Sequence, residues 1–306
     1  MKILVTGGAG FIGSNLTDEL LKRGHEVTVL DNLSTGFREN VSFQAKLYEA
    51  DIRKLEDIRP AFEGVDYVFH LAALPQVELS IQDPAASHDI NINGTLNVLI
   101  AARDAKVKKF IYSASSAVYG NQETLPLTES HLPSPMSPYA VQKYVGEHYC
   151  RNFSLLYGLP TVSLRYFNVY GPRMASAGGY VTVISIFLQA RRDGRKLTIT
   201  GDGSQTRDFT HIDDVVRANI LAMKNDAIKN GEVMNIGGGK NYTMNDMAKK
   251  IGGETEYLPP RIEPHDSLAD ISLARQLINW QPEMDMDEGL ADTIRWFENK
   301  YNCHIR

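Results

Sequence analysis

A glycine turn caught between an apolar strand and a helix restricts the possible folds more than any other feature of this chain. "KILVT", residues 2–6, reads as a buried strand, and "VTGGAGFIGSNL" carries it into a helix. Gly7, Gly10 and Gly13 satisfy a G-x-x-G-x-x-G spacing, and Gly8, Gly10 and Gly13 satisfy G-x-G-x-x-G. Glycines let the backbone turn tightly and approach an anion closely. The first helical N–H groups, at Phe11, Ile12 and Gly13, then sit at the positive end of the helix dipole, where a pyrophosphate fits. Strand, glycine turn and helix in that order open a Rossmann-type doubly wound α/β layer.

The following residues continue the rhythm. Strand-like "EVTVL", "VDYVFHLAA", "KKFIYSAS" and "PTVSLRY" alternate with helical stretches at 11–23, 85–104 and 138–157, which predicts a parallel sheet with crossover helices. Runs such as "ILV" and "YVF" are apolar at consecutive positions, so the sheet is expected to be covered on both faces. With 306 residues and 43% hydrophobic side chains the chain can bury a sizeable core. Residues 1–165 are expected to form the dinucleotide-binding layer and 166–306 a smaller, mainly substrate-binding lobe. Residues 212–224 and "EVMNIG" are amphipathic or strand-like enough to return to the sheet.

Asp31 ends the second strand eighteen residues after Gly13, where a carboxylate accepts a hydrogen bond from a ribose 2′-hydroxyl and repels a 2′-phosphate. That favours NAD over NADP. Arg38 is read as a solvated loop charge, not a phosphate partner. Asn32 adjoins Asp31, and "EADIR" places Asp51 and Ile52 where the adenine is expected, although Asp51 also suits a loop cap. A net charge of −5, with no block of five like charges, gives no footprint for nucleic acid or an anionic membrane. No run of eighteen apolar residues and no signal-peptide pattern occurs, and the two cysteines, Cys150 and Cys303, lack disulfide-framework or zinc spacing. A reducing cytoplasm is expected. Eight scattered histidines lack ligand spacing, so no metal is expected; His211 reads as a helix-entry or core residue. Trp296 and Phe297 are expected to pack the last helix onto the small lobe.

The glycine turn, "HLAAL", "NINGTLNVL", "SASSAVYG", "SPYAVQK" and "RYFNVYGPR" occur in order across nearly the whole chain, and together they resemble the extended short-chain dehydrogenase/reductases that act on nucleotide sugars, the UDP-sugar 4-epimerases in particular. The resemblance implies a catalytic set of Tyr139, Lys143 and Ser115. It also implies cofactor contacts at Leu71, Ala72, Ala73 and Asn91, beside Tyr139 and Lys143 themselves, and sugar-nucleotide contacts at Ser115, Ser116, Asn168, Arg207 and Arg261. Tyrosine's reference pKa near 10 makes it a poor base until positive charge stabilises the phenolate, and a lysine four residues along one helix supplies that charge. By the resemblance, Ser115 is expected to hydrogen-bond the reacting oxygen. By the same resemblance, a homodimer forms through the helix bearing the tyrosine and the one before it.

Within that family the dehydratases follow the strand-end serine or threonine with an Asp-Glu pair, and the decarboxylases keep a glutamate; here Ser116 and Ala117 occupy those positions. Return of the hydride to the opposite face, 4-epimerisation of a UDP-hexose, is the fate these residues allow. A bulky tyrosine commonly stands at the Ser267 position in epimerases confined to glucose and galactose, so Ser267 predicts room for UDP-GlcNAc and UDP-GalNAc. Another nucleotide-sugar-modifying relative, a UDP-glucuronate epimerase, decarboxylase or reductase, and a non-catalytic NAD sensor stay open as alternatives.

Overall fold

The computed structural model describes residues 1–175, 182–260 and 264–305. Seven strands form one parallel sheet: β1 (Lys2–Thr6), β2 (Glu26–Asp31), β3 (Lys46–Glu49), β4 (Tyr67–His70), β5 (Lys109–Ser115), β6 (Thr161–Tyr166) and β7 (Asn230–Ile236), in the order β7-β6-β5-β4-β1-β2-β3. The doubly wound fold expected from the sequence is observed. The chain winds outward from β1 in one direction, then restarts at β4 and winds in the other. That reversal leaves a crevice beyond the carboxyl ends of β1 and β4, the ligand position of open α/β sheets.

The apolar run of β1 shows why both faces are covered. Ile3 and Val5 pack on one side with Leu16 and Leu20, whereas Leu4 packs on the other with Val98, Leu99 and Phe153. The flanking helices are α1 (Phe11–Lys22), α2 (Thr95–Asp104), α3 (Pro138–Tyr157), α4 (Val183–Arg192), α5 (Ile212–Lys224), α6 (Met244–Ile251) and α7 (Met286–Tyr301). Helices α1 and α5 lie on the first face, and α2 and α3 on the second. Residues from α4, α6 and α7, including Phe187, Met247 and the fully buried Phe297, build the smaller lobe's own core.

Two local features differ from the sequence reading. Strand β3 lacks the apolar run that marks the others, because it is an edge strand with all four residues at least partly exposed. The stretch expected as one helix over 85–104 is divided: Pro84–His88 is α-helical, Asp89–Gly94 forms a π turn, and only then does α2 begin. Residues 212–236 return to the sheet layer, α5 packing on its face and β7 pairing with β6 from Asn230 opposite Thr161 to Ile236 opposite Tyr166.

Candidate active site

A cleft of ≈ 1070 Å³ opens at the crevice and continues into the smaller lobe. Its floor is the glycine turn. Gly7 has φ +70°, and a Cβ there would sit 2.6 Å from the Ala72 nitrogen; one on Gly13 would sit 2.2 Å from the Gly7 carbonyl oxygen. The first constraint lets β1 approach the loop after β4, and the second lets α1 start directly over the turn. Gly10 is the N-cap of α1, and no side chain accepts from the helix's first N–H groups. Most helices here are capped otherwise: Ser137 accepts from Ala140 at the start of α3, with Pro138 as its first residue. The uncapped end of α1 faces the cleft through Gly10, Phe11, Ile12 and Gly13, a cradle suited to a pyrophosphate.

Asp31, Asn32, Asp51 and Ile52 line the same end. Asp31 accepts from the Ala9 amide at 3.0 Å and the Leu33 amide at 2.8 Å, and burial raises its pKa. The acid therefore ties the glycine turn to the end of β2. Its oxygens keep lone pairs for a ribose hydroxyl. Asp51 is held by Arg53, whose Nε is 3.0 Å from Oδ1, and by Asn32; the Arg53 hydrogen bonds pull its pKa down to about 2. Arg38 is ion-paired with Glu49, away from Asp31's carboxylate. Arg38 and Arg53 are thus both engaged by carboxylates at this end.

Leu71, Ala72 and Ala73 form the next wall, and a buried chain of hydrogen bonds positions them. Thr95 Oγ1 donates to the Asn91 carbonyl at 2.7 Å and so must accept from His70 Nε2 at 2.9 Å. His70 Nδ1 then accepts from Thr6 Oγ1 at 2.7 Å, and Thr6 accepts from the Ala72 amide at 3.2 Å. One neutral tautomer satisfies every member; burial, with the Lys143 charge second, pushes the His70 pKa down to about 3. Asn91 differs from its expected cofactor contact. It is 2% exposed and does not line the cleft, because its amide brackets Leu74, accepting from that residue's N–H at 2.8 Å and donating to its carbonyl at 3.0 Å. Gln142 of α3 provides a further acceptor at 2.7 Å. The π turn supplies this geometry, and Asn91 acts from behind the wall.

The chemical end combines β5 and α3. Ser115 closes β5, and its Oγ accepts from the Ala117 amide at 3.2 Å, capping the turn Ser116–Tyr119. The hydroxyl proton stays available toward the cleft. Tyr139 is the second residue of α3, and its amide donates to Ser80 Oγ at 3.2 Å. Lys143, one turn later, is 4% exposed; its Nζ donates to the Ser113 carbonyl at 2.7 Å and lies 5.0 Å from the Tyr112 ring and 6.0 Å from the Tyr139 ring. Burial pushes its pKa down to about 8. A Cβ on Gly146 would meet the Tyr112 oxygen at 2.2 Å, so that glycine lets α3 lie close over β5. Ser115, Tyr139 and Lys143 all line the cleft.

Ser116, Asn168, Arg207 and Ser267 line the same cleft. Asn168 donates to the Asp208 carbonyl at 2.9 Å, and Arg207 donates to the Thr206 and His265 carbonyls at 2.8 and 3.0 Å. Asp208 turns inward: its carboxylate accepts from the Gly238, Gly239 and Ala269 amides, and burial pushes its pKa up to about 6. Arg261 lies outside the described residues. Among the described residues no cluster of metal-ligating side chains occurs, and no helix is long and apolar enough to cross a membrane.

A dinucleotide cradle and a Ser-Tyr-Lys set sharing one cleft define an enzyme of the short-chain dehydrogenase/reductase class. Residues 3–237 match the model of the NAD dependent epimerase/dehydratase family, and the chain belongs to that family. A putative UDP-glucose 4-epimerase of Methanocaldococcus jannaschii is 41% identical over 97% of this chain and 98% of its own. Two solved structures are similarly near. The UDP-glucose 4-epimerase of Thermotoga maritima with UDP-glucose superposes with TM-score 0.94 at 41% identity, covering 98% of this chain and 100% of that one. The UDP-N-acetylglucosamine 4-epimerase of Methanobrevibacter ruminantium M1, in complex with UDP-N-acetylmuramic acid, gives TM-score 0.92 at 38% identity, covering 98% of each chain.

Proposed function

We propose that the protein is an NAD-dependent UDP-hexose 4-epimerase that acts on UDP-glucose and UDP-galactose and also on UDP-GlcNAc and UDP-GalNAc. One observation carries the reading: Ser115, Tyr139 and Lys143 share a cleft with the glycine turn; the resemblance adds that Ser116 and Ala117 occupy the positions where the related dehydratases and decarboxylases carry an acid or base. The glycine turn, Asp31, Asn32, Asp51, Ile52 and the 71–73 wall hold the dinucleotide, with Asn91 supporting that wall. Bound NAD supplies reversible hydride acceptance at the sugar C4. The phenolic oxygen of Tyr139 takes the 4-hydroxyl proton and returns it after the sugar has presented its other face. Lys143 lowers the cost of the phenolate, and Ser115 donates to the reacting oxygen.

Asn168, Arg207 and Arg261 hold the diphosphate, far from the reacting carbon, so the nucleotide stays bound while the hexose turns. Ser267 leaves room for an acetamido group. In this division of labour residues 1–165 with the returning segment 212–236 hold the cofactor, and the remainder holds the sugar nucleotide. Val141, Leu155, Leu156 and Tyr157 of α3 are exposed at 44–72%. A second copy of the chain, packing its own α3 and preceding helix there, is the assembly we assign. Two unpaired cysteines fit a reducing cytoplasm.

Incubation with UDP-glucose, UDP-GlcNAc and UDP-glucuronate separately, without added cofactor, tests the proposal by chromatography of the products. The first two should yield their C4 epimers. Consumption of added NADH or release of CO2 would favour a reductase or a decarboxylase, and absence of turnover with NAD bound would favour a sensor.

A further inference from the structure

Two segments line the same cleft: the turn beginning at Ser115 and Ser116, and the loop carrying Asp266 and Ser267. A buried amide joins them from outside the cleft. Asn235 of β7 is 0% exposed; its Nδ2 donates to the Leu127 carbonyl at 2.9 Å and the Asp270 carbonyl at 3.3 Å. Two carbonyl partners fix the orientation of the amide, so Oδ1 accepts from the Tyr119 hydroxyl at 2.6 Å. Leu127 extends the tie, donating to the Leu268 carbonyl at 2.7 Å and accepting from the Asp270 amide at 2.8 Å. The Tyr119 ring lies 4.7 Å from the Arg165 guanidinium, and Arg165 makes two bonds of 2.8 and 2.7 Å to Glu147, one turn beyond Lys143 on α3. A continuous polar bridge therefore runs from the catalytic helix through Tyr119 and Asn235 to the loop holding Ser267.

We infer that Tyr119 and Asn235 are positioning residues that set the gap between the Ser115–Ser116 turn and Ser267, and through it the sugars the pocket admits. Neither side chain lines the cleft. A small residue at 267 makes room only if its loop is held at a fixed distance from the Ser115–Ser116 turn. Without the tyrosine hydroxyl, Asn235 Oδ1 loses its donor in a dry setting, and the loop must shift to satisfy it. An acetamido group fills the gap and registers such a shift; a 2-hydroxyl leaves slack.

The inference rests on the proposed epimerase reading, and Tyr119→Phe and Asn235→Ala test it with two readouts. The ratio of kcat/KM for UDP-GlcNAc to that for UDP-glucose should move about fivefold or more, carried by KM, with the bound NAD content unchanged. Backbone amides of 265–270 should exchange hydrogen about tenfold faster, while residues 5–16 keep their protection. Tyr119→Phe removes one oxygen and so decides the matter if Asn235→Ala fails to fold. Equal slowing of both sugars, or unchanged exchange at 265–270, would overturn the inference. Should the unaltered protein epimerise neither sugar, the proposed function fails and the exchange experiment still judges the bridge.

Discussion

Replacing Lys143 by methionine should abolish turnover and, in the nucleotide-free protein, raise stability at neutral pH. The ammonium is enclosed, and burial lowers its pKa from 10.5 to about 8. At about 1.4 kcal/mol per pKa unit, keeping the charge inside costs roughly 3 kcal/mol at pH 7 relative to an unfolded chain where the lysine titrates normally. Losing the bond to the Ser113 carbonyl returns about 1 kcal/mol. The net expectation is a variant about 2 kcal/mol more stable at pH 7. The sign follows from proton counting. Between pH 8 and 10.5 the unfolded lysine holds a proton that the folded one has released, so unaltered protein gains stability as pH rises, whereas Lys143→Met lacks this gain. Urea unfolding of both proteins at pH 7 and pH 10 measures the difference directly. A stability gap independent of pH would refute the claim that a buried charge is being maintained for chemistry.

Three substitutions probe the remaining parts of the site. Tyr139→Phe should lower kcat by about 10²–10⁴-fold while leaving bound NAD and UDP affinity near their original values, checked by progress curves and calorimetry. Gly13→Ala should give protein without bound NAD, because the new methyl would lie 2.2 Å from the Gly7 carbonyl oxygen; absorbance of a perchloric acid extract reads the loss. Ser267→Tyr should depress kcat/KM for UDP-GlcNAc by at least about tenfold and spare UDP-glucose, as competing-substrate assays can determine.

The residues that touch the cleft were the easiest to read from the sequence, and those that hold them were the hardest. Gly7, Asp31, Ser115 and Tyr139 belong to short motifs whose chemistry depends on local spacing, and each lines the cleft. His70 and Thr6 are 64 positions apart, and Tyr119 and Asn235 are 116 apart; their pairing depends on sheet order, which no local period encodes. Asn91 appeared within a motif, but its bonds to Leu74 arise from a π turn that carries no hydrophobic signature. Strand β3 was silent because an exposed edge needs no apolar run.

The position of β7 has a consequence for how the molecule is made. Six of its seven residues pair with β6, yet more than sixty residues separate the two in the chain. A ribosome must therefore deliver most of the polypeptide before the outermost hydrogen-bonding edge finds its mate. A gene cut after β6 would yield a fragment with that ribbon open to foreign strands.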